Sequence, residues 1–152
     1  MTSKEISGIL IDAFKNDNKV LICGNGGSSS QAHHFAGELV CKFQKDRKAL
    51  PAICLSADTS VITAIGNDFG FEHIFERQVD ALGQEGDVFI GLSTTYNSEN
   101  IIKAENLAYI KKMKVIRFPL SGKDTPEIQE LHLKMIHEIC GLVEKAIEEK
   151  RL

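Results

Sequence analysis

Four apolar runs of strand length, at 19–23, 51–55, 87–92 and 114–118, are separated by stretches whose apolar residues recur at helical spacing. A chain that alternates in this way builds repeated β-α-β units, and the sheet that results is parallel with helices on both faces. The expected class is therefore α/β with three layers. The first 17 residues, MTSKEISGILIDAFKND, carry acids within an apolar helical spacing and predict an amphipathic helix. From Pro126 to about Lys150, Ile128, Leu131, Met135, Ile139, Leu142, Val143 and Ile147 predict one long helix with Pro126 in its first turn. At 152 residues and 43% hydrophobic content the chain buries one sizeable core. Without a linker, repeat or low-complexity tract, it reads as a single domain over residues 1–152.

A net charge of -3 gives no electrostatic reason to expect nucleic acid. The one basic stretch, Lys42 to Lys48, reads as a solvated loop. Neither a secretory leader nor a membrane-spanning stretch is expected, which makes the cytoplasm the default compartment. Cys23, Cys41, Cys54 and Cys140 form no C-x-x-C pair and read as reduced, buried thiols.

The segment VLICGNGGSSSQAHHFAGE, from Val20 to Glu38, joins the first strand to a glycine turn and a helix start. Asn25, Gly26 and Gly27 permit a tight turn and close approach to a ligand. Ser28 to Ser30 offer an N-cap and hydroxyl donors where helix amides and the helix dipole favour an anion. In an open parallel sheet, ligands bind beyond the carboxyl ends of the strands. The loop after the third strand, Ser93-Thr94-Thr95-Tyr96-Asn97-Ser98, therefore falls at the same edge, ahead of a helix expected from Ser98 to Met113. Backbone amides with hydroxyls at 93, 94, 95 and 98 and no lysine nearby suit a phosphate monoester held by neutral donors.

His34 and Glu38, one turn apart, project from one helix face and suit a divalent metal by ligand type. On the last helix Gln129, His132 and His137 are further candidates. Gln129 and His137 lie eight residues apart, roughly 12 Å along a helix axis, whereas His132 is the easier local partner of Gln129; spacing alone leaves the choice open. Asn67-Asp68-Phe69-Gly70 reads as a polar turn after a helix.

The blocks GNGGSSSQAHHFAGEL, LSADTSVITAIGNDFGFEHIFERQVDALGQEGDVFIGLST, NSENIIKA and DTPEIQELHLKMIHEIC resemble, in order, those of the phosphoheptose isomerases, members of the SIS-domain group. The resemblance implies a flavodoxin-like fold and the isomerisation of sedoheptulose 7-phosphate to D-glycero-D-manno-heptose 7-phosphate through an enediol, which leads into ADP-heptose for surface polysaccharide. A non-catalytic SIS-type module that binds a phosphosugar or a protein partner is the alternative. It further implies one zinc ion on His34, Glu38, Gln129 and His137, with Glu38 and His137 as acid and base. Ser28, Ser93, Thr94, Thr95 and Ser98 would hold phosphate, Asn25, Gly26, Gly27, Asn67 and Asp68 would line the sugar pocket, and four copies would assemble. The chain departs from the family in three places. Tyr96 replaces a glycine, so it crowds the phosphate if that position needs positive φ or close approach. Glu127 stands where a basic residue is usual. One β-α unit is missing near 114–124, which leaves a smaller sheet with an exposed edge.

Overall fold

The computed structural model describes residues 1–149. Its elements run α1 (Ser3–Lys15), β1 (Val20–Gly24), α2 (Gly26–Val40), β2 (Ala52–Cys54), α3 (Thr59–Phe69), a 3₁₀ turn (Phe71–His73), α4 (Glu76–Leu82), β3 (Val88–Leu92), α5 (Glu99–Ile110), β4 (Lys114–Arg117) and α6 (Thr125–Glu148). All four expected strands and the two terminal helices form. The limit anticipated near Lys150 lies outside the described residues. Thr2 starts α1 with a capping box, its hydroxyl accepting from the Glu5 N–H while the Glu5 carboxylate accepts from the Thr2 N–H.

The sheet is parallel throughout, in the order β2-β1-β3-β4. Because β1 is followed by β2 on one side of the sheet and β3 by β4 on the other, the order reverses between β1 and β3, and that is where a crevice opens in such a sheet. Side chains alternate between two cores. Val20, Ile22, Val88, Ile90, Leu92 and Ile116 face α1, α2 and α6. Leu21, Cys23 and Phe89 face Phe75 and Val79 of the α4 region and Ile101 and Ala104 of α5. With apolar residues on both faces, β1 and β3 are buried along their whole length. Burial of each of Phe35, Phe75, Phe89 and Phe118 contributes roughly 1.5–3 kcal/mol.

The sheet ends at β4, the edge foreseen for a chain short of one β-α unit. Lys114 and Arg117 are exposed on it, and charge on an edge strand discourages pairing with another chain. Glu127, where a basic residue was expected, instead closes the start of α6: its carboxylate accepts the Lys123 N–H at 2.7 Å, and its own N–H goes to the Asp124 carboxylate at 3.0 Å. Cys23, Cys54 and Cys140 are buried and free, the last pushed up to about 12 by burial, but Cys41 at the end of α2 is exposed, contrary to expectation.

Candidate active site

A cleft of about 290 Å³ opens at the reversal point. It is lined by Asn25, Gly26, Gly27 and Ser28 from the start of α2, by Leu92, Ser93, Thr94, Thr95 and Ser98 from the end of β3 and its loop, and by Thr125 and Gln129 from α6. Three helix N-termini thus meet there, and none of these lining residues is charged. Gly26 takes φ 53°, a left-handed turn that glycine adopts without penalty. At Gly27 a Cβ would stand 2.5 Å from Gln129 Nε2, so any larger residue there would displace the Gln129 amide from its place in the cleft. The helix begins earlier than the serines suggested: Asn25 is its N-cap and Ser28, buried, lies in its first turn.

Two side chains in the cleft are already engaged. The Asn25 amide exchanges paired hydrogen bonds with buried Asn100, at 3.0 and 2.9 Å, which ties the α2 start to α5. Ser93 Oγ accepts from the backbone N–H groups of Thr95 and Tyr96 at 3.3 and 3.1 Å, and so shapes the loop while its own proton stays available to donate. Ser98, the N-cap of α5, makes no side-chain capping bond. Tyr96 does take positive φ, 53°, at a cost of about 1 kcal/mol for a residue with a Cβ. Its ring does not line the cleft; Arg117 of β4 lies over it instead. Asn67 and Asp68 are not in a turn but in the last helical turn of α3, with the Asn67 amide donating to the Asp68 carboxylate at 2.8 Å. They do not line the cleft, although the adjoining Phe71 and Glu72 reach a neighbouring hollow shared with Asn25 and Ser98.

From the cleft, α2 and α6 run side by side in the same direction. Gly27 meets Gln129, the Gln31 amide donates to the Gln129 carbonyl at 2.6 Å, and further along His34 Nε2 faces His137 Nε2 at 3.0 Å. Glu38 Oε1 lies 3.4 Å from His34 Nε2. These two imidazoles and the carboxylate place one donor atom each within 4.8 Å of one another. Two facing imidazole nitrogens need a shared proton or a cation between them, and a donor set of two nitrogens and an oxygen suits a divalent metal such as zinc. Gln129 belongs to the cleft end of the same helix face. His132 takes no part: it is fully buried, with Nε2 at 2.9 Å from the Pro119 carbonyl and its ring edge-on to Phe118. Burial holds its pKa below the usual histidine value.

The loop between α2 and β2 is more than a solvated basic stretch. The Arg47 guanidinium is buried, where it donates to the carbonyls of Glu38 and Leu39 at 2.5 and 2.8 Å and pairs with buried Glu144. Glu144 also accepts the N–H groups of Phe43, Gln44 and Lys45. The C-terminal turn of α2, which carries Glu38, is capped in this way, and Phe43 stacks on the His137 ring at 5.4 Å. Phe43, Arg47, Glu144 and Thr125 escape a reading of the sequence; an aromatic residue inside a basic run was the one available signal.

A family profile described as "SIS domain" matches residues 4–118. The chain belongs to the SIS domain family. The phosphoheptose isomerase of Helicobacter hepaticus is 46% identical to it over 159 positions, covering 93% of this chain and 80% of the relative, and that of Trichlorobacter lovleyi is 47% identical over 94% and 81%. The structure of a phosphoheptose isomerase from Francisella tularensis matches this SIS domain with a TM-score of 0.90 at 33% identity, covering 94% of this chain and 85% of that one. The corresponding figures for the enzyme from Neisseria gonorrhoeae are 0.87, 36%, 94% and 85%. An alignment of 159 positions exceeds this chain's 152 residues, so the relative carries residues absent here. The profile match ends at Phe118, just beyond β4.

Proposed function

We propose that this chain is an isomerase of a phosphorylated heptose, converting sedoheptulose 7-phosphate to D-glycero-D-manno-heptose 7-phosphate. The observation that carries the reading is the pairing of an uncharged cleft at three helix N-termini with an ionisable group further along the same two helices. An open-chain heptose 7-phosphate has its phosphate and its reacting carbons at opposite ends. The phosphate enters the cleft, where Ser28, Ser93, Thr94, Thr95 and Ser98 donate hydroxyls and the first-turn amides of α2 supply the positive end of a dipole. Asn25, Gly26 and Gly27 shape the wall beside the sugar, and Asn67 and Asp68, which lie outside the cleft lining, would meet its hydroxyls only if the end of α3 approached the bound sugar.

The reaction moves a proton between C1 and C2. Glu38 lifts it from one carbon and His137 supplies a proton to the carbonyl oxygen, each group returning to its starting state as the enediol collapses. His34, Glu38 and His137 would hold a zinc ion, with Gln129 as a neutral fourth donor on the cleft side, and the chemistry supplied is Lewis-acid polarisation of the carbonyl. Phe43, stacked on His137, keeps water from one side of the ring. A homotetramer is supported by an open apolar groove of about 770 Å³ along α1 and α6 that reaches His137, and by the exposed Phe69 and Phe71. No described helix is long and apolar enough to cross a membrane. A cytoplasmic location and a place ahead of ADP-heptose in surface polysaccharide synthesis belong to this reading by resemblance to the family. We read residues 1–152 as one SIS domain.

The test is incubation of zinc-loaded protein with sedoheptulose 7-phosphate, followed by NMR, with and without a chelator. Appearance of the aldose, lost on chelation and restored by zinc, is expected. No turnover by the metal-loaded protein, together with tight binding of the sugar phosphate, would favour a binding module.

A further inference from the structure

We infer that Tyr96 and Arg117 form a pin that holds the 93–98 loop in its phosphate-binding shape, which makes both of them positioning residues for substrate. The inference rests on the reading that phosphate binds in this cleft. Tyr96 is one of three residues other than glycine with positive φ among those described, and the neighbouring Ser93, Thr94, Thr95 and Ser98 all line the cleft. A strained backbone persists only where its surroundings over-determine it. Two restraints act on it here. From within the loop, Ser93 Oγ accepts the Tyr96 N–H. From outside, the Arg117 guanidinium stands 5.5 Å from the centroid of the Tyr96 ring, within cation–π range.

Arg117 is itself fixed. Its Nε donates to both oxygens of Glu105 at 2.9 Å, and Nη2 also bonds Glu105 Oε2. The Glu105 side chain is 2% exposed, so it cannot turn to solvent, whereas that of Arg117 is 49% exposed. A buried carboxylate on α5 thus orients an arginine on edge strand β4, and the arginine steadies the loop between β3 and α5. Because the ring points to β4 and away from the cleft, it holds the loop without occupying the space that phosphate needs.

Steady-state kinetics with sedoheptulose 7-phosphate, inhibition by inorganic phosphate and thermal melting distinguish a pin from an incidental contact. Tyr96→Gly removes the ring and relieves the backbone while losing the cation–π contact and adding chain entropy, so the variant should melt close to the parent. Its KM and its phosphate inhibition constant should nevertheless rise roughly two- to fivefold, the factor that one cation–π contact represents, with kcat little changed. Tyr96→Phe, which keeps the ring, should match the parent. Arg117→Ala combined with Glu105→Gln removes the cation without stranding a buried charge and should reproduce the Tyr96→Gly rise. A Tyr96→Gly enzyme with KM at or below the parent value, or a defect confined to kcat, would overturn the pin. If inorganic phosphate fails to inhibit the parent itself, the placement of phosphate in the cleft falls, and the pin falls with it.

Discussion

The two ends of the groove between α2 and α6 are built on opposite principles. At the cleft end the lining is uncharged and the polarity comes from the starts of three helices and a glycine-bearing turn. At the other end three ionisable side chains converge from the bodies of two helices, and all three are only partly buried. Backbone dipoles are distributed, so no single side chain carries the cleft. The His34, Glu38 and His137 group has no such redundancy, and each of its members contributes one donor atom. Substitutions should therefore be graded at one end and all-or-none at the other.

The contrast is tested most severely by Glu38→Gln, which removes a base and a charged donor at nearly constant volume. A fall in kcat of about 10²–10⁴-fold is expected, with a melting temperature close to that of the parent. Turnover at the parent rate would break the comparison at its strongest point. Arg47→Ala should act on the same end through stability, because it leaves the Glu144 carboxylate buried with three backbone N–H groups but no cation. A loss of about 3–5 kcal/mol in urea unfolding is expected. At the cleft end, Ser98→Ala should weaken substrate binding by roughly 1.5–3 kcal/mol, as for one charge-assisted hydrogen bond, and leave stability unchanged. Ser93→Ala should show the same rise in KM with an added loss of stability, since buried Ser93 also holds two loop amides. Equal melting curves for the two serine variants would show that the loop does not depend on that hydroxyl. The smallest effect concerns His132, which lies outside both ends. Its folded pKa is depressed by burial, so the unfolded chain binds the extra proton first, and stability falls as pH drops below about 6.5. The decline from pH 7 to pH 5.5 should be shallower in His132→Gln, as measured by urea midpoints.

Much of the frame was legible because period and spacing are local properties. The four apolar runs became the four strands, and the α6 pattern placed the start of its helix at Pro126, next to the observed Thr125. The choice between His132 and His137 could have been made from the same pattern: Ile128, Met135 and Ile136 flank His132 at three and four residues, which puts it on the apolar stripe and turns it into the core. His137 lies off that stripe and meets α2. Other features were hidden because they join distant segments. Nothing near Arg47 announces Glu144, almost a hundred residues away, and the basic run looked solvated because its partner could not be seen. Nor could the serines after Gly27 reveal that the helix starts at Gly26, since a left-handed turn at its first residue leaves the cap to Asn25.

If the sugar lies along the groove as proposed, the parallel alignment of α2 with α6 would make it a gauge of carbon-chain length. Gly27 meets Gln129 and, seven residues on in α2 and eight in α6, His34 meets His137. At about 1.5 Å per residue the backbones at the two ends are set roughly 10–12 Å apart by helix rise, an interval that the Gln129 and His137 side chains would have to span to share one ion. With phosphate in the cleft and the carbonyl at Glu38 as proposed, a ketose phosphate with fewer carbons would leave its carbonyl short of Glu38, and a longer one would overshoot it. On that reading discrimination by length would lie in the backbone, and changes to the side chains that line the groove would alter how tightly a sugar is held more readily than which chain length is accepted.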